Sequence, residues 1–124
     1  MSHSISQLDH VQLAIPVGGE PLALSFYVDL LGLTEVEKPS PLKERGGCWF
    51  ISGSVKLHLG VEEDFRPARK VHPALLVSDL DSLEKKLFDQ GHEVIPDNLI
   101  EGYRRFYSYD PFGNRLEFME SIDE

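Results

Sequence analysis

VHPALLV, residues 71–77, is an apolar run bounded by polar residues, with the length and character of a β-strand. It restarts a pattern opened by DHVQLAI, residues 9–15, where Val11, Leu13 and Ile15 alternate with His10, Gln12 and Ala14. After the first run, Gly18-Gly19 mark a turn and Pro21 suits a first helical turn. Leu22, Phe26 and Leu30 then form an apolar stripe that Gly32 ends. Residues 33–37 read as a short strand, and 48–51 with 55–60 as a hairpin across Ser52-Gly53-Ser54. After the second run, Ser78 or Asp79 caps a helix that places Leu80, Leu83 and Leu87 on one side and stops at Gly91. Short strands at 93–95 and 104–109 follow. The turn Asp110-Pro-Phe-Gly113 then leads into 114–119, where Leu116 and Phe118 alternate with Arg115, Glu117 and Met119. The order β-α-β-β-β occurs twice.

Each half, at roughly 55 to 60 residues, is too small to build much of a core alone. The expectation is therefore one α+β domain, residues 1–124, made of two tandem βαβββ modules. Module one spans about 7–61, a charged linker (EEDFRPARK) spans 62–70, and module two spans about 71–121. The sheets face inward as a curved mixed cup and the helices lie outside. Arg66, Arg69 and Lys70 in the linker read as a solvated connection.

Composition narrows the partners. The chain has 124 residues, of which 41% are apolar and 27% charged, as in a soluble globular protein. A formal charge of −9 disfavours nucleic acid or an anionic membrane as the main partner. No apolar run reaches membrane-spanning length, and the start MSHSISQLDH lacks the features of a secretory signal. The single cysteine, Cys48, cannot form an internal disulfide, which fits a reducing cytoplasm, and its setting in GGCWFIS reads as a small buried hydrophobe. Trp49 beside it reads as core.

The first and last strands of the two modules carry His10, His58, His72 and Glu117. The separations within each half are alike, 58 − 10 = 48 and 117 − 72 = 45. Leu13, Leu57, Leu75 and Leu116 occupy the opposite strand faces, so if these pack under the helices the four polar side chains share the other face. A lone strand histidine is ordinarily a hydrogen-bonded structural residue, and a lone strand glutamate ordinarily faces water. Joint placement at equivalent positions of a repeated module is what sets these four apart. Three imidazoles and a carboxylate make a divalent-metal ligand set for zinc, nickel, manganese or iron. His3 and His92 fall outside the pattern.

The segments LDHVQLAI, FYVDLLGL, VKLHLG, HPALLVSDLDSL and YDPFGNRLEFME together resemble the vicinal oxygen chelate superfamily, over about residues 7–121. That superfamily includes glyoxalases, extradiol ring-cleaving dioxygenases, fosfomycin-inactivating thiol transferases and bleomycin-binding proteins. The resemblance places the family's metal positions on His10, His58, His72 and Glu117. It also implies a homodimer in which ligands can come from two chains, and a Glu117 that doubles as general base. Two open positions on such a metal suit a small substrate with vicinal oxygens. Gln12, which shares the face of His10, and Arg105, Tyr107 and Tyr109, which share one strand face, are candidates for the substrate wall.

Three functions follow. The leading one is a metal-dependent glyoxalase-like lyase or isomerase, although glyoxalases more usually have a carboxylate or another ligand where His58 stands. The second is an extradiol dioxygenase with iron on His10, His72 and Glu117, and with Tyr107 matching a family tyrosine. Against it, that family's extra catalytic histidine finds Ser54-Val55 here. The third is a metal-free small-molecule binding or resistance protein, a group that generally lacks the ligand set retained in this chain.

Overall fold

The structure, a computed structural model, describes residues 2–122, so the ends of the expected 1–124 domain lie outside the described residues. Eight strands form two four-stranded mixed sheets. The first contains β1 (Val11–Ile15), β2 (Thr34–Val36), β3 (Cys48–Ser52) and β4 (Val55–Val61). The second contains β5 (Ala74–Leu76), β6 (Ile95–Pro96), β7 (Tyr103–Tyr109) and β8 (Arg115–Ser121). Their spatial orders are β1-β4-β3-β2 and β5-β8-β7-β6. In each sheet the opening strand pairs parallel with the closing strand, and the remaining pairs are antiparallel. The repeated βαβββ reading is thus reproduced strand for strand, as an α+β fold of two sheets.

Several boundaries move. The run 71–77 narrows to Ala74–Leu76, the three residues that pair with Glu117, Phe118 and Met119 of β8. A short helix, α2 (Ser40–Lys43), occupies a stretch with no predicted element. The first helix begins as α1 (Glu20–Ala23) and runs on as a π-helical segment, Leu24–Leu30, before Gly32 ends it at φ +82°. The wider i→i+5 turn changes the phase of the buried face. Ala23, Phe26, Tyr27 and Leu30 are buried, whereas Leu22, expected in the stripe, is exposed.

The helix α3 (Leu80–Asp89) starts at Asp79, which adopts a left-handed conformation and accepts a hydrogen bond from the Ser82 amide at 3.2 Å. Its orphan N-terminal amides receive a second acceptor from β8. Glu120 takes the amides of Asp79 and Leu80 at 2.8 and 3.0 Å, joining helix to sheet.

One core cluster draws on both sheets. Ile15, Phe50, Leu57 and Leu59 from the first join Phe106, Leu116 and Phe118 from the second, with the π-helical Phe26, Tyr27 and Leu30 and with Leu80 and Leu87 of α3. Cys48 is buried here as expected, and burial pushes its thiol up to about 11.

A polar network ties the modules together. Asp110 is buried and accepts from the Tyr27 hydroxyl at 2.7 Å, from Asn114 Nδ2 at 2.9 Å, and from the amides of Phe112 and Asn114. Asn114 also donates to the Ala14 carbonyl of β1 and accepts the Ala68 amide of the linker, both at 2.9 Å. The 62–70 segment is therefore anchored onto β8 rather than simply solvated.

Two stability outcomes follow. Asp110→Ala leaves the buried Tyr27 hydroxyl and Asn114 amide without an acceptor and should cost about 3 kcal/mol or more, against about 1 kcal/mol for Tyr27→Phe, read from denaturant midpoints. Glu120 is held below its usual 4.5 first by the Leu80 amide and then by the Asp79 amide. Its contribution is present above that value and is lost as pH falls through the lowered folded value. Glu120→Gln should flatten the acid limb of the stability profile; an unchanged limb would show that the cap is energetically silent.

Candidate functional site

The two sheets place the four candidate side chains by the same rule. Gln12 is the register partner of His58, and Ala74 is the register partner of Glu117. His10 and His72 each precede that partner by two residues. His10 and His72 thus stand just before β1 and β5 rather than on them, and each is offset identically from its closing-strand residue.

In the first module His10 and His58 stack with ring centroids 4.1 Å apart and planes 20° apart. Trp49, the register partner of His58 on β3, covers its other face at 4.0 Å and 5°. This three-ring stack leaves His58 8% exposed, and burial, followed by the neighbouring His10, lowers its pKa and favours the neutral imidazole. Neutral imidazole is the metal-binding form. His10 Nδ1 lies 2.9 Å from Asp9 Oδ2, a carboxylate contact that leaves Nε2 available. Gln12, Trp49, His10 and His58 line one cavity of about 510 Å³.

In the second module His72 Nε2 lies 2.9 Å from Glu117 Oε1, while His72 Nδ1 lies 3.0 Å from the Lys70 carbonyl. A carbonyl oxygen only accepts, so Nδ1 carries the hydrogen. Nε2 and the carboxylate then meet only with a cation between them, either a proton or a metal ion. This donor chemistry fits a divalent metal. The other carboxylate oxygen, Glu117 Oε2, accepts from Arg105 Nη1 at 2.9 Å. Arg105 also donates to the Tyr107 hydroxyl at 2.9 Å and to Asp97 Oδ1 at 3.0 Å. Glu117, at 6% exposure, is tolerated on its strand because this fork and His72 satisfy it.

The four residues do not converge within one chain. Among the described residues, no group of three or more His, Cys, Asp or Glu side chains lies close enough to share a metal ion. They form two pairs, His10 with His58 and His72 with Glu117, because each pair belongs to its own sheet. His10 and His72 do border a common cleft of about 400 Å³ beside the starts of β1 and β5.

Two readings of the wall change. Arg105 is buried and its guanidinium is committed to Glu117, Asp97 and Tyr107, so it holds the carboxylate in place instead of standing open to a ligand. Trp49 is half-buried and stacked on His58, not sealed in the core. The repeat held the signal for Trp49: it lies across from His58 as Tyr107 lies across from Glu117. Tyr107 meets His72 edge-on at 5.4 Å, and Tyr109 carries the Arg69 guanidinium at 5.6 Å.

Comparison with known proteins agrees with this architecture. Residues 7–118 match the family model described as the Glyoxalase/Bleomycin resistance protein/Dioxygenase superfamily, and the chain belongs to that superfamily. A glyoxalase family protein from Bacillus anthracis is 49% identical, with a TM-score of 0.93 over 98% of this chain and 99% of that one. A glyoxalase/dioxygenase from Nostoc punctiforme shares the fold at 21% identity, with a TM-score of 0.74 over 99% and 100% of the two chains. The fosfomycin resistance protein FosX of Listeria monocytogenes shares it at 15% identity, with a TM-score of 0.76 over 96% of each chain. No protein of curated function matches.

Breaking a buried ion pair by removing one partner strands the other charge. Arg105→Met should therefore destabilise the protein by about 3 kcal/mol in thermal or urea unfolding. Lysine should restore little, since one ammonium does not reproduce the three-way fork. Full stability in Arg105→Met would show that Glu117 is held by other contacts.

Proposed function

We propose that this chain is a divalent-metal-dependent lyase or isomerase of the glyoxalase type, acting on a small substrate with vicinal oxygens. The observation that carries the reading is the matched register of the two histidine-containing pairs, each a half-set of metal ligands. His10 and His58 of one subunit and His72 and Glu117 of the other would hold one ion in a homodimer, with module one (7–61) and module two (71–121) each supplying half of every site within a single 1–124 domain. Zinc, nickel, manganese and iron all suit three imidazoles and a carboxylate. No helix among the described residues is long and apolar enough to cross a membrane.

Bound there, the metal supplies Lewis-acid stabilisation of negative charge developing on the substrate oxygens. The protein's own part centres on Glu117. Arg105, itself bonded to the Tyr107 hydroxyl, fixes the carboxylate through Oε2, and Oε1, released from its contact with His72, would take a proton from the carbon beside a substrate carbonyl and return it to the neighbouring carbon. Trp49 and Gln12 line the first-module side of the site beside His10 and His58.

Mixing two variants tests both the ligand set and its sharing between subunits. His10→Ala/His58→Ala and His72→Ala/Glu117→Gln should each lose metal alone, by elemental analysis. A co-expressed mixed dimer should regain one ion per dimer, because one composite site keeps all four ligands. Failure of the mixture to regain metal would overturn the shared site, and a monomeric mass in light scattering would do the same. Glu117→Gln should keep the fold and lose most turnover of an α-ketoaldehyde–thiol adduct, while His58→Gln mainly weakens metal retention. Iron-dependent oxygen uptake with a catechol would instead assign a dioxygenase.

A further inference from the structure

The four candidate ligands are held by different means. His10 Nδ1 lies 2.9 Å from the Asp9 carboxylate, His72 Nδ1 lies 3.0 Å from the Lys70 carbonyl, and Glu117 accepts from Arg105 at 2.9 Å. Partners of that kind ordinarily fix the plane of a metal-binding side chain. His58 is the exception. Among the described residues neither of its ring nitrogens makes a hydrogen bond, and its imidazole is held between two stacked rings.

The two covers are not equivalent. The His10 ring is tilted by 20° at 4.1 Å, and it belongs to an exposed side chain that precedes the edge strand β1. The Trp49 indole lies within 5° of parallel at 4.0 Å. Trp49 stands on the interior strand β3, where it is the register partner of Val36 on one side and of His58 on the other. Of the two, the indole is the fixed surface.

We infer that Trp49 is the positioning residue for His58: its indole sets the plane of the imidazole, in place of the hydrogen bond that holds each other candidate ligand. What His58 then binds rests on the metal-site reading, whereas the orientation stands on the ring geometry. Stacking consumes neither ring nitrogen, so either is left to coordinate. A divalent ion on His58 draws charge from the imidazole, and the electron-rich face of an indole accommodates this better than an aliphatic side chain does. Trp49 therefore supports the ligand without touching the ion.

Two measurements on the full-length protein separate the orientation from the metal reading. In metal-free protein labelled in its histidines, NMR should find the carbon-bound ring protons of His58 shifted upfield by the indole. The shift should survive in reduced form in Trp49→Phe and disappear in Trp49→Leu, with broadening as the ring samples other orientations. An unshifted His58 in the native protein, or an unchanged one in Trp49→Leu, overturns the inference whatever the metal result. Cobalt titration reads the consequence. Trp49→Leu should bind cobalt about tenfold more weakly, the usual scale for a lost orienting partner, with Trp49→Phe in between. In a His58→Ala background the same replacement should change nothing, because Trp49 acts through His58. An equal loss in both backgrounds, or no loss in either, overturns the positioning role. If the native protein takes up no cobalt, the metal reading fails and NMR alone decides the orientation. Where Trp49→Leu does not fold, Trp49→Met supplies the aliphatic comparison.

Discussion

Asp110 is the acceptor on which the arrangement of the two modules depends. It is buried at the turn before β8 and takes the Tyr27 hydroxyl from the first module's helix and the Asn114 amide that in turn reaches β1. Burial, and then the adjacent carboxylate, push the Tyr27 hydroxyl well above the ordinary phenol range, so it stays a donor. A carboxylate in this position has no water to fall back on, and every donor around it is committed. The start of β8 is fixed by this network, and β8 carries Arg115, Glu117 and Glu120. The carboxylate of the turn thus anchors the start of the strand that carries the chemistry-bearing carboxylate.

From that anchor, the two halves repeat one solution with different side chains. The parallel pairing of opening and closing strands sets a two-residue offset that places a histidine against a second donor in both sheets. The antiparallel neighbour adds an aromatic residue in both, Trp49 in one and Tyr107 in the other. The halves diverge in what shields the donor. Stacked rings enclose His58, and a guanidinium fork encloses Glu117, as suits a neutral imidazole and an anion respectively.

The arginines of β7, β8 and the linker divide between two tasks. Arg104 braces α3 through Asp81 and Glu84, and Arg105 fixes Glu117, so both are neutralised within the fold. Arg115 and Arg69 rest on aromatic faces, which attract a guanidinium without neutralising it. Local positive potential can therefore persist on one face of a molecule whose overall charge is strongly negative.

Much of this was legible from residue order. The repeated βαβββ pattern, the glycine-ended helices, the burial of Leu13, Leu57 and Leu116, and the equivalent placement of His10, His58, His72 and Glu117 follow from periodicity and spacing, because strand alternation and turn chemistry are local. The phase of the first helix was not, since the π-helical turn that exposes Leu22 satisfies packing on Phe26 and Tyr27 rather than an intrinsic preference. Nor were the pairing of Arg105 with two carboxylates, the stacking of Trp49 on His58, or the division of the four candidate ligands into two pairs. Those depend on which residues distant in sequence meet across strands and between sheets. Sequence spacing determines the face of a strand on which a side chain stands; only the packed sheets decide what that face meets.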